Sequence, residues 1–302
     1  MSRQKTFWGW LLGALGVVIF LAAVAAATWR IFIYPWAQSW GATRLEQAML
    51  LPGNEFVPSA TSQSTYAIDI QAPPERAWMW LVQIGQDRSG FYSYSFLENL
   101  VGDPIQNVIE IRPEWQKLEA GDFVHLAPSD YLGGRLREKT ALEVLLADPP
   151  RALVLKNWGA FILLPKDGGR STRFLIRSRT VENSATRLTL SIVFEPIHFL
   201  MQRRMMLGIK ELAEAGTAAE RRPIPSRADC IWFLSIVGAG LLIFIIALVR
   251  RTSLWLPAAA LLTILLTFVL FRLPPDPLLG IGLAAITVFV LLWLVLPRRR
   301  RA

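Results

Sequence analysis

The sequence predicts an α+β domain set between membrane spans, one before it and three after. Three observations carry that reading: four charge-free apolar stretches, a middle segment of short alternating runs, and one long amphipathic helix that closes the segment. A hydrophobic content of 53% and a mean hydropathy of +0.37 are too high for a chain living wholly in water, so part of it belongs in lipid.

The expected spans are Thr6 to Trp29, Cys230 to Val249, Thr252 to Phe271 and Leu278 to Leu296. Each approaches the roughly 20 apolar residues that cross a bilayer. The first also has features of a secretory signal, because Arg3 and Lys5 precede it and small residues surround Ala27; its long apolar run favours an uncleaved anchor. With a cytoplasmic N-terminus, Arg3, Lys5, Arg250, Arg251 and Arg298 to Arg301 all fall inside, as the positive-inside rule requires. The middle segment is then extracytoplasmic, and Arg221, Arg222 and Arg227 are the charges that run against this orientation.

Those eight inside charges account for all but one of the net +9, so the basicity reports membrane orientation and argues against a nucleic-acid surface. Cys230 is the only cysteine, which excludes an intrachain disulfide and a cysteine metal site. His125 and His198 are the only imidazoles and read as surface or packing residues, so no metal or other cofactor is implied.

The organisation is an anchor over 1–33, a folded domain over 34–216, a linker over 217–229 and a three-span region over 230–302. Trp36 and Trp40 read as an interfacial belt. Tyr66, Ile68 and Ile70 alternate as on a strand. Ala72 to Gly85 opens with prolines and ends at a glycine, as a helix does, and Ser95 with Glu98 fits a capping box at the start of the next. From Val108 to Phe194 the chain reads as strands: VIEIRP, GDFVHLAP, LREKTALEVLL, RALVLKNW, GAFILLP, STRFLIRSRTV and TRLTLSIVF. KDGG and ENSA read as hairpin connections, so the sheet is antiparallel. Matching the apolar faces of the last two strands requires an odd-numbered loop, and it places Arg173, Arg177 and Arg179 together on the opposite face. Glu195 to Gly216 repeats Ile197, Leu200, Met201, Met205, Ile209 and Leu212 at helical spacing, an apolar stripe to lay across the sheet.

Trp40 to Thr43, Leu51-Pro52-Gly53, WLVQIGQDRSGFYSYSFLENL, Gly121-Asp122, TRFLIRSR and MMLGIK together resemble a bacterial, membrane-anchored subgroup of the SRPBCC superfamily, which holds START-like and polyketide cyclase-like domains. The resemblance covers Trp36 to Ala215 and leaves the C-terminal spans outside it. It implies a helix-grip fold: a curved antiparallel sheet wrapped on the long C-terminal helix, with a cavity between them for a hydrophobic ligand. It carries over no catalytic set.

In that frame Gln83 to Leu100 lies at the cavity rim. Gln83, Gln86, Arg88, Tyr92, Tyr94 and Asn99 offer groups to orient a ligand, and Arg173 and Arg177 could meet an acidic head group. The same residues could instead stitch the turn, with Asp87 paired to Arg88, and the arginines could be a solvated face. The expected function is binding of a hydrophobic or amphipathic small molecule, such as a lipid, by a domain held at the bilayer. Two alternatives stay open. One is an enzyme of cyclase or dehydratase type using Tyr92, Tyr94, Asp87 or Glu98; the other is an interaction module without a ligand.

Overall fold

The structure is a computed structural model, and it describes residues 2–135, 140–249 and 255–295. The arginines at 250, 251 and 298 to 301, part of the LREKTALEVLL run and the start of the third expected span lie outside the described residues. The chain forms two compact units: Met1–Tyr34 with Ser226–Ala302, and Pro35–Pro225.

The first unit is helical. Helix α1 (Ser2–Thr28) passes through a π-helical turn (Trp29–Ile33) into α2 (Tyr34–Ala37). Three helices are long and apolar enough to cross a membrane: Phe7–Ala37, Arg227–Ile245 and Trp255–Arg272. The last two belong to α8 (Arg227–Val249) and α9 (Trp255–Arg272). Helix α10 (Pro277–Val295) corresponds to the fourth expected span, but its apolar part within the described residues, Pro277–Val290, is shorter than the other three. Between the helices Trp232, Ile236 and Ile243 pack with Ala259, Leu262, Leu266 and Leu283. Their outer surfaces expose Leu12, Ile19, Leu241, Leu261 and Phe289, a distribution suited to lipid and costly in water.

The second unit is α+β. After the short helix α3 (Arg44–Ala48) come β1 (Ser62–Ile70), α4 (Pro74–Leu81) and α5 (Ser95–Leu100). Strands β2 (Phe123–His125), β3 (Ala141–Asp148), β4 (Ala152–Leu155), β5 (Gly159–Lys166) and β6 (Ser171–Thr180) follow, then α6 (Ser184–Val193) and α7 (Glu195–Glu214). The six strands form one antiparallel sheet in the order β1-β6-β5-β4-β3-β2, so the first strand pairs with the last.

Register fixes two faces. Tyr66 lies opposite Ile176 and Ile68 opposite Phe174, while Phe161 and Leu163 flank the same pair from β5; this inner face meets α4 and α7. Phe199 of α7 stands edge-on to Tyr66 at 5.6 Å, and the Trp36 and Trp40 rings close on Phe199 at 5.7 and 6.2 Å. Both tryptophans are partly buried and pack on the domain through this contact.

The outer face carries Ala67, Ala152, Val154, Ala160, Ile162 and Leu175, and Leu51 is buried among them. The strap that brings Leu51 there starts with a capping box, in which Thr43 and Glu46 exchange bonds of 2.7 and 3.2 Å. The three arginines of β6 hold it down. Arg173 donates to Glu46 and to Gly41 O, Arg177 to Glu46 O, Met49 O and Thr65 Oγ1, and Arg179 to Asn54 O. The Arg173 hydrogen bonds hold the Glu46 carboxyl down at about 2. Gly41 (φ +70°) permits this close approach, since a Cβ there would sit 2.0 Å from Ala67 O.

Three expected elements differ. TRLTLSIVF is the helix α6 and not a seventh strand. β6 already pairs with β1 and β5, and the outer side of β1 donates to Gln38 O and Trp40 O, so neither β6 nor the β1 edge receives the alternating residues. Asn183 of ENSA is consequently a helix cap, accepting from Thr186 N at 2.8 Å, and the odd-loop register does not arise. VIEIRP forms no strand; the Gln83 side chain takes the backbone groups of Glu110 and Arg112 that a neighbouring strand would have taken. Helix α5 has Tyr94 as its cap residue without a side-chain cap bond, so the Ser95–Glu98 capping box is not formed.

The stretch expected as a linker packs on the domain through residue 225. The Arg221 guanidinium lies 4.9 Å from the Trp80 ring, and Ile224 is buried with its carbonyl accepting from Asn107 Nδ2.

Candidate functional site

Gln83 follows the C-terminus of α4 and is fully buried. Its Nε2 donates to Tyr92 Oη and Glu110 O, both at 3.2 Å, and its Oε1 accepts from Arg112 N at 2.7 Å and Gln116 Nε2 at 3.0 Å. All four hydrogen-bonding positions of the amide are thus used. Tyr92 is equally buried, with Oη 2.7 Å from Ser89 Oγ and its ring edge-on to Trp80 at 5.9 Å. Burial pushes the phenol up to about 12. The backbone of Tyr92 is left-handed (φ 52°), and Asn107 Oδ1 accepts its N–H at 2.7 Å.

The remaining expected residues also have local partners. The Gln86 backbone N–H donates to His125 O at 2.8 Å, and Arg88 donates to Trp115 O. Burial pulls the Arg88 guanidinium below its ordinary value. Asp87 pairs with His125 at 3.0 Å, Tyr94 is buried edge-on to Phe96, and Asn99 Oδ1 accepts from Ile105 N at 2.8 Å. Gln83 and Tyr92 therefore share one network, Gln86, Arg88, Tyr94 and Asn99 are spread around it, and Arg173 and Arg177 lie on the outer face with the strap.

Helix α7 approaches this turn at Gly208, where a Cβ would lie 2.4 Å from Tyr92 O and 2.8 Å from Tyr92 Cβ. On the same side of the sheet, α7 and the stretch after Tyr92 leave an open cavity of about 190 Å³. It is lined by Phe91, Ser93, Glu98, Leu126, Trp158, His198, Met201, Gln202 and Met205. Its walls are mostly apolar. Ser93 Oγ is spent on Met201 O at 2.8 Å, and the Trp158 indole donates to Gln202 Oε1 at 3.2 Å.

Three polar atoms of this lining are buried without a hydrogen-bond partner: Glu98 Oε2, His198 Nδ1 and Gln202 Nε2. The His198 ring stacks on Phe194 at 5.1 Å, and its Nδ1 lies 3.9 Å from Glu195 Oε2, beyond hydrogen-bond distance. Burial, reinforced by the nearby Asp103 carboxylate, raises Glu98 to about 7; burial alone raises Asp103 to about 6. At neutral pH Glu98 is thus divided between a carboxylate and a carboxylic acid, able to accept or to donate.

Sequence reasoning gave Glu98 a cap role, with acid–base work as the enzyme alternative, read His198 as a surface or packing residue, and did not single out Trp158 or Gln202 as ligand contacts. The signal available was helical spacing: His198, Gln202 and Met205 follow one face of α7, with Met201 beside them. No family model, curated protein or solved structure matches the chain.

Proposed function

We propose that Pro35–Pro225 is a helix-grip domain of SRPBCC type, anchored in the membrane and extracytoplasmic, that binds a small amphipathic molecule between its sheet and α7. An antiparallel sheet whose first and last strands pair, with a long helix on its inner face, supports the fold assignment. The observation that carries the function is the pairing of an apolar wall with the unpartnered atoms of Glu98, His198 and Gln202. Unpaired buried polar atoms each cost about 1–3 kcal/mol, so a ligand that satisfies them gains that energy on entry. Phe91, Leu126, Met201 and Met205 take its apolar part, and the three polar side chains take its head. Flanking spans keep the domain where such molecules partition, which raises their effective concentration.

The test is native mass spectrometry and solvent extraction of the full chain in lipid nanodiscs. A stoichiometric small amphiphile is expected in the extract, and an extract containing nothing beyond the nanodisc lipid background overturns the reading.

A second reading, catalysis on that ligand, is favoured by one observation: a carboxyl at about 7 is suited to general acid–base work near neutral pH. Glu98→Gln separates the two, since it keeps the size and polarity of the side chain. Retained ligand with lost turnover marks the enzyme; turnover that survives the substitution rules Glu98 out as the proton carrier.

A further inference from the structure

The outer face of the sheet holds a second cavity, of about 340 Å³, at the β4–β5 turn. Its apolar walls include Phe56, Val57, Val154 and Ala160, and its cationic side chains are Lys156, Arg177 and Arg179. Lys156 pairs with Glu143 at 2.8 Å, whereas Arg177 and Arg179 form no ion pair among the described residues.

The acids nearby are already committed. The Glu46 carboxylate belongs to Arg173, and Glu55 accepts from Gly53 N at 2.9 Å. Arg177 is 2% exposed, and its partners are two backbone carbonyls and the Thr65 hydroxyl, all neutral. Arg179 gives one N–H to Asn54 O, and its Nε is buried without a partner. Burial and the neighbouring Arg179 both pull Arg177 below its ordinary value, the direction expected where like charges share a site and no anion is present.

Holding the buried Arg177 guanidinium beside the partly buried Arg179 without an acid is costly, and a bound anion relieves that cost while using the unmatched Arg179 Nε donor. The apolar side chains around them suit a tail. We infer that this outer cavity binds the anionic head, carboxylate or phosphate, of an amphiphile whose apolar part lies against Phe56, Val57 and Val154. It is separate from the cavity beneath α7: the lining residues of the two have only Trp158 in common, and Arg177 lies on the sheet face opposite Phe161 and Phe174.

The full chain in a neutral detergent is titrated calorimetrically with octanoate, octanol and inorganic phosphate. Octanoate is expected to bind at least tenfold more tightly than the other two. Arg179→Gln, which leaves the deeper Arg177 in place, and Val57→Trp, which fills the cavity without touching a charge, are each expected to weaken octanoate at least tenfold. Met205→Trp, which fills the cavity under α7, is expected to leave it unchanged. Octanoate binding that survives both outer variants, or that Met205→Trp abolishes, overturns the inference. Phosphate binding as tightly as octanoate overturns the amphiphile, because the apolar wall would then contribute nothing.

Discussion

The turn from Gln83 to Tyr92 and the wall formed by Glu98, His198 and Gln202 contain the same kinds of side chain, and they differ in whether those side chains have partners. In the turn Gln83 alone satisfies four groups, two of them in a backbone segment that has no strand beside it. In the wall each of the three residues leaves one buried atom unpaired. A high density of polar residues thus marks where irregular backbone needs side chains to satisfy it, and the three unpaired atoms of the wall are the groups that the proposed ligand is expected to satisfy.

The comparison breaks most visibly at Gln83. Gln83→Leu strands the Glu110 carbonyl and the Arg112 amide, so the expected loss is about 3 kcal/mol, read as a fall in the thermal midpoint of the full chain in detergent. A loss under about 1 kcal/mol would put the turn on the same footing as the cavity wall. Next comes Gly208→Ala, whose new methyl meets the Tyr92 backbone at 2.4 Å; about 2 kcal/mol is expected, because α7 must lift from the turn.

Glu98 sharpens the contrast through pH. Its folded value of about 7 lies above the ordinary 4.5, so the folded state holds a proton that the unfolded state has released. The associated stability is full below pH 4.5, declines through the window up to 7, and is absent above it. Asp103, raised from 3.8 to about 6, adds a slope of the same sign in a lower window. Glu98→Gln is expected to remove the Glu98 part of the slope and to stabilise the protein by up to about 3 kcal/mol at pH 8, checked by thermal midpoints across pH. An unchanged slope would mean that the carboxyl is not held out of water. The smallest effect belongs to Gln202→Met, which loses only the bond from the Trp158 indole; under about 1 kcal/mol is expected, with ligand retention reduced far more than stability.

Much of the fold was legible in the sequence because its signals are local. The alternation of Tyr66, Ile68 and Ile70 identified β1, the KDGG hairpin joined β5 to β6, and the helical spacing from Ile197 to Leu212 identified α7. Three of the apolar spans followed from length and composition. What failed depended on distant partners. Leu188, Leu190 and Ile192 alternate as a strand does, but β6 is paired on both sides and the β1 edge is taken, and Asn183 caps a helix instead. The site was hidden for the same reason. Glu98 fits a capping box by spacing, and only the fold reveals that its carboxyl stays without a cap partner and that α7 brings His198 and Gln202 to the same cavity. The arginines of β6 were placed correctly on one face, but the strap they clamp is more than a hundred residues earlier in the chain.

The central claim, a ligand held between the sheet and α7, is tested most directly by filling the space. Met205→Trp places a bulky ring where the cavity lies, away from the Gln83 network. The occupancy of the copurified molecule is measured by native mass spectrometry for the original chain and the variant, at matched thermal stability. The account predicts stoichiometric occupancy that falls at least tenfold in the variant. Equal occupancy in the two proteins would contradict it and place the ligand elsewhere in the chain.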